Sequence, residues 1–307
     1  MKNNWKKLGL ITAPIKDIGW MSTFASSTAV NILDEQKGII EIFVTGRDNN
    51  NRSLIGKIIF DVFNHKIITI DQKASLNLGP LSSFDENGQS YPCIVNENDH
   101  DKLYYTGWSP SVLTPFQNFP GLAIRRKGDE IFKRTSNAPV MGRNHDDYNS
   151  IGSLCVIKDE GLYKMWYTNF RNWEKNENGP KHYYNIKYAY SKDGINWERD
   201  NITCIDFINS EEYAIAKPTV IKTNDTFHMY YCYRGNKYKI GYAISQDGIN
   251  WNRKDHESGI SLSESGWDSK EINYPTIFKL QNKIFMLYSG NDYGKAGFGI
   301  AKKESFD

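Results

Sequence analysis

The sequence has no long run of one charge and no long apolar stretch. Its 307 residues carry 38 Lys and Arg against 36 Asp and Glu, so the formal net charge is only +2. A chain this balanced does not build the positive field that holds a nucleic-acid backbone. No stretch of about 18 apolar residues occurs, so a membrane span is not predicted either. We therefore expect neither nucleic acid nor a membrane as a partner.

Cysteine is scarce and lacks the spacing of a zinc site. Four cysteines occur in apolar, strand-like stretches, and none is part of a Cys-x-x-Cys pair. This pattern is typical of reduced core residues and predicts no zinc and no other cofactor. The sequence leaves open whether a metal ion occupies a central channel.

The N-terminal segment lacks the long apolar run of a secretory signal. Residues 1–11 read MKNNWKKLGLI, in which the apolar part is too short for a signal peptide. The expected compartment is therefore the cytoplasm.

Aromatic residues, in contrast, are abundant. They make up 14% of the chain, with 19 Tyr and 8 Trp. Aromatic side chains pack well in β-sheets, and this accounts for most of them. An aromatic ring also stacks against the apolar face of a pyranose, so the composition suits a sugar site as well.

The chain contains an internal repeat. Residues 188–197 (YAYSKDGINW) match residues 242–251 (YAISQDGINW), and each reads as a strand, an Asp-Gly turn and the start of a second strand. A second signature lies upstream, where an apolar strand leads to an aromatic one with a constant spacing of 13 residues. The pairs at this spacing are Pro92 and Tyr105, Leu154 and Tyr167, Pro218 and Tyr231, and Pro275 and Tyr288.

The two signatures together define a unit of four antiparallel strands. A fifth copy opens the chain, with its first three strands near residues 27–33, 41–44 and 54–60. The last copy lacks its fourth strand, and residues 4–7 (NWKK) resemble the fourth strands of other units. Four antiparallel strands per unit is the blade of a β-propeller. The sequence therefore predicts an all-β, five-bladed propeller, one domain over residues 1–307, whose ring is closed by the N-terminal strand.

Acidic residues lie in the loops that enter the first strand of each unit. In four units, an acidic residue lies seven positions before the signature of the first strand. These residues are Asp85, Asp147, Glu211 and Asp268. Recurrence at one register favours a turn or cap role. Glu212 and Glu271 break this register, which makes them better functional candidates, although a solvated surface carboxylate is the alternative. The predicted catalytic set is Glu212, Glu271 and Asp147.

Polar and aromatic residues that follow the second strand of each unit should lie at the rim of a central funnel. Arg47 and Arg234 are suited to bidentate binding of a carboxylate or phosphate, with a salt bridge between blades as the alternative. Lys217 precedes Pro218, where a side chain can line the channel. The predicted substrate-binding set is Arg47, Trp108, His145, Asn169, Lys217, Arg234, Tyr274 and Asn291.

The repeat and its Ser-x-Asp-Gly-x-x-Trp turns resemble those of the five-bladed propeller glycosidases, glycoside hydrolase families 43, 32 and 130. The resemblance covers nearly the whole chain and implies a funnel with two or three carboxylates. Families 43 and 32 carry an acidic residue at the start of the first strand, but residues 24–30 (FASSTAV) have none. The Glu-Gly-Pro run of family 43 does not occur either. These departures disfavour ordinary hydrolysis by the mechanism of those families.

The sequence leaves three classes of function open. The first is an enzyme acting on a glycosidic or activated-sugar bond, as a glycosidase, a phosphorylase or a propeller-type glycosyltransferase, with surface-glycan assembly as one context. The second is a catalytically silent sugar-binding propeller, and the third a protein-interaction propeller. Catalysis should require a carboxylate with a raised pKa in the funnel. A binding protein should show aromatic and amide side chains there instead.

Overall fold

The protein is all-β, as predicted. The computed structural model describes residues 4–177 and 179–306, so residues 1–3 of the expected N-terminal segment lie outside the described residues. The strands are β1 (Lys6–Thr12), β2 (Phe24–Asp34), β3 (Ile39–Arg47), β4 (Ser53–Asp61), β5 (Lys66–Ile70), β6 (Gln89–Asn96), β7 (His100–Pro110), β8 (Phe116–Arg126), β9 (Lys133–Arg134), β10 (Ile151–Asp159), β11 (Leu162–Asn176), β12 (Gly179–Ser191), β13 (Thr203–Ile205), β14 (Ala214–Thr223), β15 (Thr226–Arg234), β16 (Tyr238–Ser245), β17 (Asn252–Arg253), β18 (Asn273–Leu280), β19 (Lys283–Ser289) and β20 (Phe298–Lys303).

Helical structure in the described part of the chain is limited to three short segments. Two are 3₁₀ turns, Gly19–Met21 and Asp255–Glu257, and the third is the single turn Asn291–Gly294. Among the described residues, none of these helices has the length and apolar character needed to cross a bilayer.

The strands form five four-stranded antiparallel units. Three are separate sheets, β2 to β5, β6 to β9, and β18 to β20 with β1. The other two, β10 to β13 and β14 to β17, are joined into one larger sheet by a parallel pairing of Tyr184 with Ala214. The constant 13-residue spacing reflects the first hairpin of each unit, since it places Leu154 opposite Tyr167.

The Asp-Gly turns have a structural role. Asp193 Oδ1 accepts hydrogen bonds from the backbone N–H groups of Ile195 and Asn196, both at 2.8 Å, and the turn at Asp247 repeats these contacts. Each turn also contacts the preceding unit. Tyr104 Oη donates to the Gly194 carbonyl at 2.7 Å, and Trp166 Nε1 donates to that of Gly248 at 2.7 Å. The turns therefore lock successive units together.

The N-terminal strand completes the last sheet, as the sequence predicts. Strand β1 pairs antiparallel with β20, with Lys7 opposite Ala301 and Thr12 opposite Phe298. Just before β1, Trp5 is 6% exposed and donates from Nε1 to the hydroxyl of Tyr230 at 3.2 Å. The first and last strands of the described chain therefore share one sheet.

The first strands of the five units surround a narrow channel. Strands β2, β6, β10, β14 and β18 contact one another in cyclic order, and β18 contacts β2. All five line one cavity of about 120 Å³. Each strand has a bulge near the cleft end of this channel, and four bulged residues have a left-handed φ; they are Ser27, Tyr91, Lys217 and Tyr274. Bulges of this kind redirect side chains and are frequent beside functional sites.

Candidate functional site

All five units contribute to one cleft above the channel. The cleft has a volume of about 320 Å³. An adjoining cavity of about 350 Å³ shares Arg47, Tyr91, Phe116 and Asn118 with it. The principal side chains of the cleft are Arg47, Tyr91, Phe116, Asn118, Ser153, Thr168, Phe170, His182, Tyr184, Arg234, Tyr238, Tyr274 and Tyr293.

One wall of the cleft is aromatic. It is built on β11 and β12, whose paired strands are longer than those of the other units. His182 stacks on Tyr184 with centroids 5.0 Å apart, and Phe170 lies 5.1 Å from Tyr184. Phe116 of β8 packs against Phe170 from the neighbouring unit, at 6.0 Å. This wall offers flat apolar faces of the kind that a sugar ring contacts.

Arg47 lies at the end of β3 between two aromatic rings. Its guanidinium carbon is 5.0 Å from the centroid of Phe24 and 5.9 Å from that of Trp108. Nη1 donates to Asn51 Oδ1 at 2.6 Å. No ion pair joins Arg47 to a carboxylate of the described residues. The aromatic neighbours hold the cation in place without neutralising it.

Arg234 occupies the equivalent position at the end of β15. Its guanidinium lies 4.9 Å from the ring centroid of Tyr213 and 4.7 Å from that of Tyr238. Nη1 donates to the Tyr293 hydroxyl at 2.7 Å, while Nε is buried without a hydrogen-bond partner in the described structure. The guanidinium forms no ion pair with a described carboxylate. The cleft therefore contains two guanidinium groups whose positive charge is not balanced by an ion pair with a described carboxylate.

Four phenols of the cleft remain protonated. Burial raises the pKa of Tyr91, Tyr184, Tyr238 and Tyr274 above that of a free tyrosine. Tyr184 and Tyr238 also share a hydrogen bond between their hydroxyls. Protonated phenols add hydrogen-bond donors to a cleft that already holds two cations.

His182 is uncharged at neutral pH. Burial, and secondly the charge of Arg234, lower the pKa of His182 to about 4. Its Nδ1 is buried and has no hydrogen-bond partner among the described groups. A neutral imidazole can either donate to or accept from a bound ligand, depending on its tautomer.

The described lining of the cleft contains no carboxylate. It combines two arginines with phenols, small hydroxyls, one amide and one neutral imidazole. In the part of the chain that the structure describes, no three His, Cys, Asp or Glu residues are grouped to hold a metal ion. The cleft is thus arranged for an anionic, polar ligand that accepts hydrogen bonds.

Glu212, a member of the predicted catalytic set, is not among the residues that line the cleft. It lies in a neighbouring cavity, which Arg234 also lines. Both its oxygens accept from Arg253, at 2.8 and 3.0 Å, and the N–H of Ile208 donates to Oε2 at 3.2 Å. The bidentate ion pair occupies the carboxylate, so neither oxygen faces a substrate in the cleft.

Glu271 also lies outside the cleft lining. Its Oε1 accepts from the backbone N–H of Tyr293 at 3.0 Å, and the side chain is buried. The nearby Asn291 accepts from the N–H groups of Lys270 and Glu271 and donates to the Gly266 carbonyl at 3.0 Å. Both residues therefore position the loop that carries Tyr293 rather than lining the cleft with it.

Asp147, included in the catalytic set, is bound within its own unit instead. Its carboxylate accepts from Tyr167 Oη at 2.8 Å and pairs with Lys187 at 2.6 Å and with Arg199 at 3.1 Å. Asp85 and Asp268 make the same contact with Tyr105 and Tyr288, the second-strand tyrosines of their units. The alternative that these in-register acids are structural is thus supported for the three aspartates.

The other predicted binding residues separate into two groups. Tyr274 lines the cleft and Trp108 lines its adjoining cavity. His145 has a side chain that is 99% exposed and contacts only the neighbouring Asp146 among the described residues. Asn169 is buried and donates to Asn185 at 3.2 Å. Lys217 lines the channel below the cleft.

Sequence reasoning missed most of the aromatic lining. Phe116, Phe170, Tyr184 and Tyr238 were indistinguishable from residues that pack sheets, because they lie in ordinary strand patterns. His182 carried one usable signal, which was its position in the longest insertion between the second and third strands of a unit.

Comparisons with known proteins fit this fold. The chain is 37% identical over 302 residues to the uncharacterized protein Rv1502 of Mycobacterium tuberculosis, covering 98% of this chain and 99% of that protein. Over 169 residues it is 28% identical to the 1,2-beta-oligomannan phosphorylase of Thermoanaerobacter sp., covering 51% of this chain and 52% of the relative. No protein-family model matches the chain.

Solved structures show the same architecture. A glycosyl hydrolase from Bacteroides ovatus matches with a TM-score of 0.72 and 15% identity, covering 98% of this chain and 94% of that one. A thermostable family-43 glycoside hydrolase gives 0.65 and 14%, with 96% and 94% covered. A structure from the GH130 family of mannoside phosphorylases gives 0.68 and 15%, with 98% and 94% covered. The resemblance to the propeller glycosidases is confirmed at the level of fold.

Proposed function

The chain belongs to the same family as Rv1502 of Mycobacterium tuberculosis, and we propose that it is a carbohydrate-active enzyme that uses an anionic reactant. The reaction is phosphorolysis of a glycosidic bond or glycosyl transfer from a sugar phosphate. The observation that carries this proposal is the pair Arg47 and Arg234, two guanidinium groups without a carboxylate partner in a cleft lined by no described carboxylate.

The chemistry of phosphorolysis suits such a cleft. Inorganic phosphate attacks the anomeric carbon, the bond from that carbon to the leaving oxygen breaks, and the leaving oxygen takes up a proton. The products are a sugar 1-phosphate and a shortened saccharide. The phosphate is itself the nucleophile, so no carboxylate base is needed to activate water as in an inverting hydrolase. The arginines bind its oxygens in bidentate fashion.

The leaving oxygen still requires a proton donor. The protonated phenols of Tyr91, Tyr184, Tyr238 and Tyr274 are the donors that the described lining offers. Tyrosine can act as a general acid. Burial raises the pKa of these four phenols, so each releases its proton less readily than a free tyrosine does. In this proposal Glu271 acts as a positioning residue, and Glu212 stays ion-paired outside the cleft.

We further propose that the five units are the blades of one propeller domain, closed by β1. Support comes from the cyclic contacts of the first strands, from the channel that all five line, and from the pairing of β1 with β20. This arrangement makes the cleft the mouth of the central channel, where propeller enzymes bind their substrates.

A silent sugar-binding protein is the second candidate. It is favoured by the same lining, because aromatic and amide side chains without a carboxylate suffice for binding. What separates the two candidates is the role of phosphate. A binding protein gains nothing from it, whereas the enzyme consumes it.

The test uses the activities named for the partial relatives. The protein is incubated with β-1,2-linked manno-oligosaccharides in the presence and in the absence of inorganic phosphate, and sugar 1-phosphate and free sugar are both measured. Other oligosaccharides, and sugar 1-phosphates with acceptor sugars, extend the panel. Phosphate-dependent release of a sugar 1-phosphate is the expected result. Hydrolysis that is indifferent to phosphate would refute it, and saccharide binding without turnover across the panel would establish the binding protein.

A further inference from the structure

The channel beneath the cleft holds a buried cation that the proposed reaction does not use. Lys217 is only 3% exposed, and its side chain lies in the cavity of about 120 Å³ between the five first strands. Nζ has one long hydrogen bond, to Thr276 Oγ1 at 3.5 Å. No carboxylate of the described residues forms an ion pair with it.

Such an environment is unusual for a lysine. Burying an ammonium group without an opposite charge is strongly unfavourable, so buried lysines are normally paired or hydrogen-bonded. Lys102 of the same protein is 6% exposed, yet its Nζ donates to the Tyr163 hydroxyl at 2.9 Å and to the Asp193 carbonyl at 2.7 Å. Lys217 has no comparable set of acceptors in the described structure.

Three threonine hydroxyls of the channel, those of Thr28, Thr219 and Thr276, can donate hydrogen bonds as well. Thr28 is 1% exposed, and its Oγ1 has no hydrogen-bond partner among the described residues. Thr276 donates its hydroxyl hydrogen to the Thr28 carbonyl at 2.6 Å. Thr219 Oγ1 accepts from the N–H of Ile277 at 3.1 Å, which leaves its own hydrogen available. Burial lowers the pKa of Lys217, so an anion close by would favour the charged form of its amino group. This amino group and two hydroxyl hydrogens share a cavity that has no carboxylate acceptor among the described residues.

We propose that the channel binds a small monovalent anion, with chloride as the physiological candidate, between Lys217 Nζ and the hydroxyls of Thr28 and Thr219. The volume accommodates one halide ion with a few water molecules, since a water molecule occupies about 30 Å³ of liquid. The anion supplies the negative charge opposite Lys217, in the channel between the first strands of the five units. This site is separate from the cleft and does not depend on the proposed reaction.

The anion also stabilises the floor of the cleft. Lys217 has a φ of +53° at the bulge of β14, and Tyr274 has a φ of +52° at the bulge of β18. The Lys217 side chain reaches Thr276, two residues after Tyr274. Neutralising Lys217 therefore removes an unpaired buried charge beside the segment that directs Tyr274 into the cleft.

Bromide replaces chloride in the direct test. Crystals of the protein are soaked in sodium bromide, and anomalous diffraction is measured at the bromine absorption edge. We expect a bromide peak within hydrogen-bond distance of Lys217 Nζ in the native protein and none in Lys217→Met. A native channel that contains only water at saturating bromide would overturn the proposal.

A measurement in solution excludes binding that occurs only at crystal concentrations. The melting temperature is compared in sodium chloride and sodium gluconate at equal ionic strength. Chloride is expected to raise it by roughly 2–4 °C in the native protein and to have no specific effect in Lys217→Met. Equal melting temperatures of the native protein in the two salts would refute the site.

Two control variants complete the experiment. Lys102→Met removes an equally buried lysine that has protein partners, and it should keep the chloride effect. Cys93, another residue of the channel wall, accepts from the Val156 N–H at 3.2 Å. Cys93→Ser should also keep the chloride effect. If this variant loses the effect, the negative charge beside Lys217 is a Cys93 thiolate, and the proposal is overturned.

Discussion

Arg234 donates from Nη1 to the hydroxyl of Tyr293 at 2.7 Å, although the two residues belong to different four-stranded units. Tyr293 has a φ of +60°, a conformation that bulky residues rarely adopt. Its backbone N–H donates to Glu271 Oε1 at 3.0 Å. A chain of contacts thus runs from a carboxylate outside the cleft to a cation inside it.

The first prediction separates positioning from acid catalysis at Glu271. Glu271→Ala removes the acceptor for Tyr293 and should weaken phosphate binding about tenfold, the equivalent of one hydrogen bond. Glu271→Gln keeps a carbonyl oxygen and should bind phosphate like the native protein. Isothermal titration calorimetry with inorganic phosphate measures both. If Glu271→Gln binds normally but loses turnover by about 10² or more, Glu271 is an acid after all.

The second prediction concerns the two arginines. Arg47→Ala and Arg234→Ala should each weaken binding of phosphate or a sugar phosphate by about 10- to 100-fold, because each removes a charge-assisted hydrogen bond. Arg126→Ala is the control, since Arg126 is exposed at the far end of β8. Equal losses in all three variants would mean that the cations act only through the general field of the protein.

The third prediction is a pH dependence that originates at His182. The pKa of His182 is lowered from 6.5 to about 4 in the folded protein. The unfolded chain therefore binds more protons between these two values, and stability from this residue is present above pH 6.5 and is lost as the pH falls toward 4. The difference in melting temperature, native protein minus His182→Gln, should decrease as the pH is lowered from 6.5 toward 4. A difference that stays constant with pH would show that His182 is not held neutral.

The fourth prediction tests the structural role of Asp147. Asp147→Asn leaves the buried ammonium of Lys187 without its full charge partner and should lower the free energy of unfolding by about 3–5 kcal/mol. Asp146→Asn changes the adjacent, more exposed carboxylate and should alter it by less than about 0.5 kcal/mol. Urea denaturation measures both. An Asp147→Asn protein of native stability that has lost turnover would restore this residue to a catalytic role.

The fifth prediction concerns the N-terminal strand. Trp5→Ala removes a large buried ring from its contact with Tyr230 and should destabilise the protein by about 3–5 kcal/mol. Leu10→Ala in β1 is the control, because Leu10 is 36% exposed and its truncation should cost less than about 1 kcal/mol. Similar effects of the two changes would argue that β1 is not anchored through Trp5.

The sequence predicted the four-stranded units because the same sequence signals recur from one unit to another. The 13-residue spacing is a hairpin register, and the Asp-Gly turns recur with the same hydrogen bonds. Arg47 and Arg234 each end a second strand, and both line the cleft.

The carboxylates could not be placed in the same way. Glu212 and Glu271 depart from the repeat, but their partners lie far along the chain, at Arg253 and at the backbone of Tyr293. No local pattern reveals such pairs. The aromatic wall was missed for a related reason, because Phe170 and Tyr184 fit a strand pattern equally well whether they face a neighbouring sheet or a cleft.

The pairing of β1 with β20 has a consequence for synthesis of the protein. Translation delivers β1 long before its partner β20, which ends at Lys303. At about 5–20 residues per second, ribosomes need roughly 15–60 seconds to cover that distance. During this interval the edge of β1 has no native partner and is open to incorrect pairing.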